Sequence, residues 1–254
     1  MIIDQFRLDG RVAMVTGCST GLGMAMAEGL AEAGADISGV YHTHSPQELQ
    51  RRTEQLGRRF LGIRADLSST RPIPALIEET VSNLGRLDVL INNAGIIRRA
   101  PSLEYTEKDW DDTISVNLKS VFFLCQAAAR QFIKQGSGGK IVNIASVLSF
   151  QGGILIPPYT ASKSGLSGLT RLLANEWARD KINVNAIAPG YMETEATEAL
   201  QKDPVRSKVI LERIPAGRWG KPEDLKGAAV FLASAASAYL NGYTIAVDGG
   251  WLGR

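Results

Sequence analysis

Three side chains in the middle of the sequence have types and spacing suited to moving a proton. Ser146 closes the apolar run Ile141-Val-Asn-Ile-Ala-Ser146, and Tyr159-Thr-Ala-Ser-Lys163 follows at the start of a helical pattern. Tyr159 and Lys163 stand four residues apart, so they share one face of a helix. A lysine ammonium beside a phenol favours the phenolate and lowers its pKa from about 10. That chemistry predicts Tyr159 as an acid or base working near neutral pH. Ser146 sits at the C-terminal end of a strand, where ligands bind in open α/β sheets.

A second group of residues suits an anionic ligand. The run Thr16-Gly17-Cys18-Ser19-Thr20-Gly21-Leu22-Gly23 lies between an apolar strand and a helix. Glycines let the backbone turn tightly and approach a pyrophosphate, and the helix N-terminus supplies unpaired N–H groups. The spacing is G-x-x-x-G-x-G, distinct from the common G-x-G-x-x-G. Cys18 lies inside this loop with no base beside it in sequence and reads as structural. Asn92-Asn93-Ala94-Gly95 follows another short apolar run.

The elements that must position these groups alternate along the chain. Strands are expected at 12–15, 37–41, 60–65, 89–92, 141–144, 184–188 and 244–247. Helices are expected at 24–33, 45–55, 72–84, 107–135 and 158–178. In the second helix, Ser45 is read as N-cap and Pro46 as the first helical residue. Ser137-Gly-Gly is the expected stop of the long fourth one. Continuous apolar strands alternating with helices predict an α/β fold, a doubly wound sheet of seven parallel strands with helices on both faces. No linker or repeat divides the pattern, so residues 1–254 read as one domain. The polar segment 191–215 breaks the rhythm and reads as a substrate loop or helical lid.

Composition excludes several other classes. The chain has 254 residues, 44% hydrophobic and 21% charged, with a net charge of +2. It is neither disordered nor fibrous, and it lacks the basic stripe of a nucleic-acid binder. No apolar run reaches the roughly 18 residues of a membrane helix. Cys18 and Cys125 form neither a disulfide framework nor a metal site, so no metal is expected and a reducing, cytoplasmic compartment is.

Taken together, the T-G-x-x-x-G-x-G loop, the N-N-A-G run, Ser146 with Tyr159-x-x-x-Lys163, and Pro189-Gly190 with Thr194 resemble the short-chain dehydrogenase/reductase family, in family order and over nearly the whole chain. The resemblance implies a Rossmann-type sheet and NAD(P)-dependent interconversion of an alcohol and a ketone. It implies that Gly17, Ser19, Thr20, Gly21, Leu22 and Gly23 cradle the pyrophosphate. Asp66 and Leu67 would meet the adenine, and Asn93, Ala94 and Gly95 would pack under the adenosine ribose. Pro189, Gly190, Met192 and Thr194 would wrap the nicotinamide. Lys163 would hold the nicotinamide ribose as well as tune Tyr159. Asn117 would hold a water for proton relay, and Ser146 would orient the substrate oxygen.

Cofactor choice should be written at the end of the second strand, where an acid favours NAD and an arginine accepts the 2′-phosphate of NADP. Here the text is Tyr41-His42-Thr43-His44, with neither. Both cofactors stay open, and the absence of Arg or Lys tips the reading to NAD.

Runs outside the family-wide motifs, such as Gly95-Ile-Ile-Arg98-Arg99 and Arg213-Ile-Pro-Ala-Gly-Arg218-Trp219, resemble the branch acting on deoxy sugar acids. A sugar-acid carboxylate needs a cation. Arg98 or Arg99 is placed to supply it, unless these side chains face solvent or another subunit. Gln151 is a candidate for substrate hydroxyls. Small residues along the Tyr159 helix, with the resemblance, imply a homotetramer. Other short-chain reductases (a 3-oxoacyl-thioester reductase, a gluconate 5-dehydrogenase) are alternatives. A non-catalytic dinucleotide-binding regulator is a further one, but it would have no need of Asn117, Ser146, Tyr159 and Lys163 together.

Overall fold

Seven short apolar segments pair into one parallel sheet. The computed structural model describes residues 1–254 and places β1 at Val12–Thr16, β2 at Asp36–Tyr41, β3 at Phe60–Arg64, β4 at Val89–Asn92, β5 at Gly139–Ile144, β6 at Ile182–Pro189 and β7 at Thr244–Val247. Their spatial order is β3-β2-β1-β4-β5-β6-β7. The chain therefore builds outward from β1 to one edge, returns, and continues from β4 to the other. The reversal between β1 and β4 opens a crevice at the C-terminal strand ends, the position where open α/β sheets bind ligands.

Both faces of the sheet are covered at its centre, which is why its inner strands are largely apolar. On one face Met14, Leu90, Ile141 and Val184 pack against α3 (Ile73–Leu84), α5 (Ser120–Gln135) and α6 (Pro157–Trp177). On the other, Ala13, Val15, Ile91 and Ile187 pack against α1 (Gly21–Glu32) and α9 (Lys226–Ala233). Alternate residues of one strand thus feed opposite cores.

Local departures from the expected boundaries have local causes. Helix α2 (Gln47–Gln55) starts after Pro46, which, with φ −83° and ψ 45°, occupies its cap without a side-chain hydrogen bond. Ser45 is therefore not the N-cap. The expected helix over 107–135 is interrupted. It runs as α4 (Glu107–Ile114), a π-helical turn at Ser115–Lys119, and then α5. Such turns widen the ladder locally and often occur at functional sites. Its stop is Gly136, whose left-handed φ of 70° suits glycine.

Segment 191–215 is a helical flap. It contains α7 (Glu198–Lys202) and α8 (Pro204–Arg213). Its base is closed by a bridge between Met192 and Gly220, with Glu193 N–H donating to the Gly220 carbonyl at 2.7 Å. Ile210 and Ile214 of the flap are buried with Val147, Trp219 and Trp251 in a small core of their own. The flap is thus pinned at its base and along one side of α8.

Candidate active site

At the top of β1, Thr16 and Asn93 organise the glycine loop. The Thr16 hydroxyl accepts from the backbone N–H groups of Asn93 and Ala94, each at 3.0 Å. The Asn93 amide in turn donates to the carbonyls of Thr16 and Gly17, also at 3.0 Å. Gly17 has φ 66°, and a Cβ there would press on the Ala94 backbone at 3.0 Å. A Cβ on Gly23 would lie 2.1 Å from the Gly17 carbonyl oxygen, so only glycine lets α1 come this close. Ser19 ties the loop to the end of β2 by donating to the His44 carbonyl.

The loop forms one wall of a cleft of about 780 Å³ that runs to Ser146, Tyr159 and Lys163. Tyr41, His42, Thr43 and His44 line its far end, and Pro189, Gly190, Met192 and Thr194 line the end beside Tyr159. Glycines that admit a backbone close to a ligand, a helix N-terminus and an elongated cleft fit a dinucleotide. Asp66 and Leu67 stand outside this lining. The exposed Asp66 carboxylate accepts from Ser68 N–H at 2.9 Å, and buried Leu67 gives its carbonyl to Ser120. Cys18 is buried, its thiol pushed up to about 12 by burial, which makes it inert.

Helix α6 carries Tyr159 and Lys163 on the face that meets β5. The Lys163 ammonium donates to the Ile144 carbonyl at 2.6 Å and lies 5.5 Å from the centre of the Tyr159 ring. Burial lowers Lys163 to about 8. Tyr159 departs from the sequence expectation, because burial raises its pKa above 10, while the Ser146 hydroxyl and the Arg99 charge pull the other way. The physical reason is desolvation, which disfavours the charged form of both groups. The phenol is therefore a proton donor at neutral pH. Ser146, at the end of β5, accepts from Leu148 N–H through its hydroxyl oxygen at 3.2 Å, which holds it toward the cleft.

Asn117 sits fully buried in the π turn. Its amide oxygen accepts from Ile96 N–H at 2.8 Å and its amide nitrogen donates to the Ile96 carbonyl at 2.9 Å. The side chain thus fastens the strand exit after Gly95 and is not among the residues lining the cleft.

Beside Ser146 and Tyr159 the cleft opens into a side pocket of about 140 Å³. The segment 153–156 forms part of its wall, with Leu155 in a left-handed conformation at φ 65°. Arg98 does not reach it; its guanidinium lies 3.7 Å from Asp109, and Arg99 lines the pocket instead. Neighbouring residues on an extended segment point to opposite sides, which is why one of the pair faces inward. Gln151 also lies outside, 3.5 Å from the Arg213 guanidinium. Sequence reasoning missed Thr16 and the backbone role of Ile96. The one signal for Thr16 was a hydroxyl residue ending an apolar strand.

The profile of a family described as enoyl-(acyl carrier protein) reductase matches residues 17–252. The 2-dehydro-3-deoxy-D-gluconate 5-dehydrogenase of Dickeya dadantii (strain 3937) is 62% identical over all 254 residues, covering 100% of both chains. The chain belongs to the short-chain dehydrogenase/reductase family. Among solved structures, one from Agrobacterium tumefaciens, provisionally described as a 2-deoxy-D-gluconate 3-dehydrogenase with bound NADP, is 53% identical with a TM-score of 0.92, over 98% of this chain and 99% of that one. A gluconate 5-dehydrogenase from Burkholderia cenocepacia J2315, in complex with NADP and tartrate, is 43% identical with a TM-score of 0.93, over 100% of both chains. The chain is an NAD(P)-dependent short-chain dehydrogenase/reductase that interconverts a secondary alcohol and a ketone.

The two titrations give the reaction a direction with pH. Reduction needs Tyr159 protonated and then leaves a phenolate that the Lys163 ammonium, present below about pH 8, stabilises. Oxidation needs the phenol to have lost its proton. Reductive rates are therefore expected to fall as pH rises through about 8, where Lys163 loses the ammonium that stabilises the phenolate left behind. Initial-rate profiles in the reductive direction check this; reduction that accelerates through that pH contradicts it.

Proposed function

We propose that this enzyme oxidises 2-dehydro-3-deoxy-D-gluconate at its C5 hydroxyl, reversibly, with NAD(H) favoured over NADP(H). The observation that carries the reading is the side pocket. It adjoins Ser146 and Tyr159, holds about 140 Å³, and has arginines as its only charged lining residues. That is room and charge for a small acid, and little room for an acyl-thioester chain. The full-length likeness to the Dickeya dadantii enzyme supports the same substrate. D-Gluconate is the second reading, supported by the likeness to the Burkholderia cenocepacia enzyme.

In this reading Gly17, Ser19, Thr20, Gly21, Leu22 and Gly23 hold the pyrophosphate with backbone N–H groups and the helix N-terminus. Asn93, Ala94 and Gly95 back the adenosine ribose, while Pro189, Gly190, Met192 and Thr194 flank the nicotinamide. When bound, the nicotinamide accepts or returns the hydride. Ser146 donates a hydrogen bond to the substrate oxygen. Tyr159 takes the hydroxyl proton during oxidation and gives it back during reduction. Lys163 stabilises the phenolate and holds the nicotinamide ribose. Asn117 fixes Ile96 through its side chain and holds the water of the proton relay that the resemblance assigns to it. NAD(H) preference rests on the end of β2. Tyr41, His42, Thr43 and His44 offer no arginine or lysine there. Arg64, the nearby cation, donates to the His42 carbonyl at 3.1 Å and is absent from the cleft lining.

We also propose a homotetramer in a reducing, cytoplasmic compartment. Trp110, Phe123, Ile133 and Leu172 expose apolar surface on α4, α5 and α6, and small residues on α6 permit close packing. A mass four times the 27.4 kDa chain in light scattering is expected, and a monomer at all concentrations contradicts it.

Tyr159→Phe removes the proton-transferring hydroxyl and little else. Turnover of 2-dehydro-3-deoxy-D-gluconate with NAD⁺ is expected to fall at least ~100-fold, while NADH binding by fluorescence stays within about threefold. Undiminished turnover removes Tyr159 from the mechanism. Absence of turnover by the unaltered enzyme removes the substrate.

A further inference from the structure

Two cations share the side pocket, and neither is neutralised. Arg99 reaches it from the segment after β4, and Arg206 reaches it from the first turn of α8 in the flap. No acidic residue lines the pocket. Their neighbours are paired, Arg98 with Asp109 and Arg218 with Asp224, whereas neither Arg99 nor Arg206 takes part in an ion pair. Arg213, the third arginine nearby, is stacked 4.1 Å over the Trp251 ring and is not in the lining.

The placement of Arg206 is also costly for the helix that carries it. A cation in a helix's first turn opposes the positive end of the helix dipole. Asp203 caps this helix, accepting from the N–H groups of Val205 and Arg206, each at 3.0 Å, and Pro204 opens it. The cap fixes the backbone of Arg206, but no acid meets its guanidinium. An anion arriving in the pocket would meet two guanidinium groups and no carboxylate.

We propose that Arg206 is a specificity-determining residue. With Arg99, it holds the carboxylate of the substrate, so that the flap selects sugar acids over neutral sugars. The proposal rests on the sugar-acid reading and adds which residues enforce it. Arg99 also links the two sides of the pocket, since its guanidinium donates to the Ala196 carbonyl of the flap at 3.0 Å. A carboxylate between Arg99 and Arg206 would bridge the body of the protein to α8. The acid end of the substrate then lies toward the flap, and the hydroxyl to be oxidised lies toward Ser146 and Tyr159.

The test is a binding titration that does not depend on turnover. Trp219 and Trp251 pack against Tyr191, which lines the pocket, so their fluorescence reports occupancy. With NAD⁺ present, D-gluconate is titrated against D-glucitol, which has the same carbon chain without the carboxylate. The unaltered enzyme is expected to prefer gluconate. In Arg206→Gln, gluconate affinity falls about 10- to 100-fold, the loss of a charge-assisted pair, while glucitol affinity changes less than about threefold. Arg206→Lys recovers part of the loss, because the charge returns without the planar fork. Gluconate binding to Arg206→Gln within about threefold of the unaltered protein overturns the proposal. Equal weakening of both ligands also overturns it, by showing that Arg206 only supports the flap. A parallel assay of 2-dehydro-3-deoxy-D-gluconate oxidation by the unaltered enzyme separates the two readings. If it fails while the titration holds, the substrate is another acid and the role of Arg206 stands.

Discussion

The reciprocal hydrogen bonding between Thr16 and the Asn93-Ala94 segment is the constraint on which the site depends. Parallel strands β1 and β4 end side by side, and their exits must diverge to open the crevice. The Thr16 hydroxyl and the Asn93 amide hold those exits together just above the sheet. The glycine loop is thereby fixed from one side. From the other, the Asn117 amide grips Ile96 three residues beyond Asn93. Cofactor loop, strand exit and π turn form one connected backbone framework. Buried polar groups of this kind are stable only when every partner is present, and they then specify a single arrangement.

A second buried network sets the catalytic helix. Asn92 donates to the Asn143 carboxamide oxygen at 2.9 Å, and the Asn143 amide donates to Thr170 of α6 at 3.0 Å. This fixes α6 against β4 and β5. Together with the Lys163 bond to Ile144, it brings Tyr159 to the end of the strand that carries Ser146. The same burial that positions Tyr159 and Lys163 moves both pKa values toward neutral forms. Proton donation by Tyr159 is therefore the chemistry that this burial favours at neutral pH.

Much of this was legible in the sequence, and for physical reasons. Strands covered on both faces must be largely apolar, so the central ones declared themselves by composition, while the partly exposed edge strands β3 and β7 declared themselves by their place in the alternation. A tyrosine and a lysine four apart can only share a helical face. What the sequence could not show was set by tertiary geometry. The sign of the Tyr159 shift is set by desolvation, which outweighs the opposing Ser146 hydroxyl and Arg99 charge. The π turn at Asn117 is invisible to helical periodicity, since one extra residue in a ladder changes no residue type. Arg98 and Arg99 are adjacent and identical, and only the path of the chain decides which faces inward. Asp66 matches a family motif but lies outside the cleft lining. Arg206 belongs to no motif, and it reaches the pocket because α8 folds back over the strand ends. The flap can do so because Ile210 and Ile214 bury themselves against Trp219 and Trp251.

In the proposed reaction this cleft moves a hydride between C5 of a sugar acid and a nicotinamide, with Tyr159 handling only the proton. The most direct measurement uses 2-dehydro-3-deoxy-D-gluconate carrying deuterium at C5, with NAD⁺ and the unaltered enzyme. The label is predicted to appear in the reduced cofactor by mass spectrometry. Label that remains in the organic product, or that is lost to water while turnover proceeds, contradicts the account.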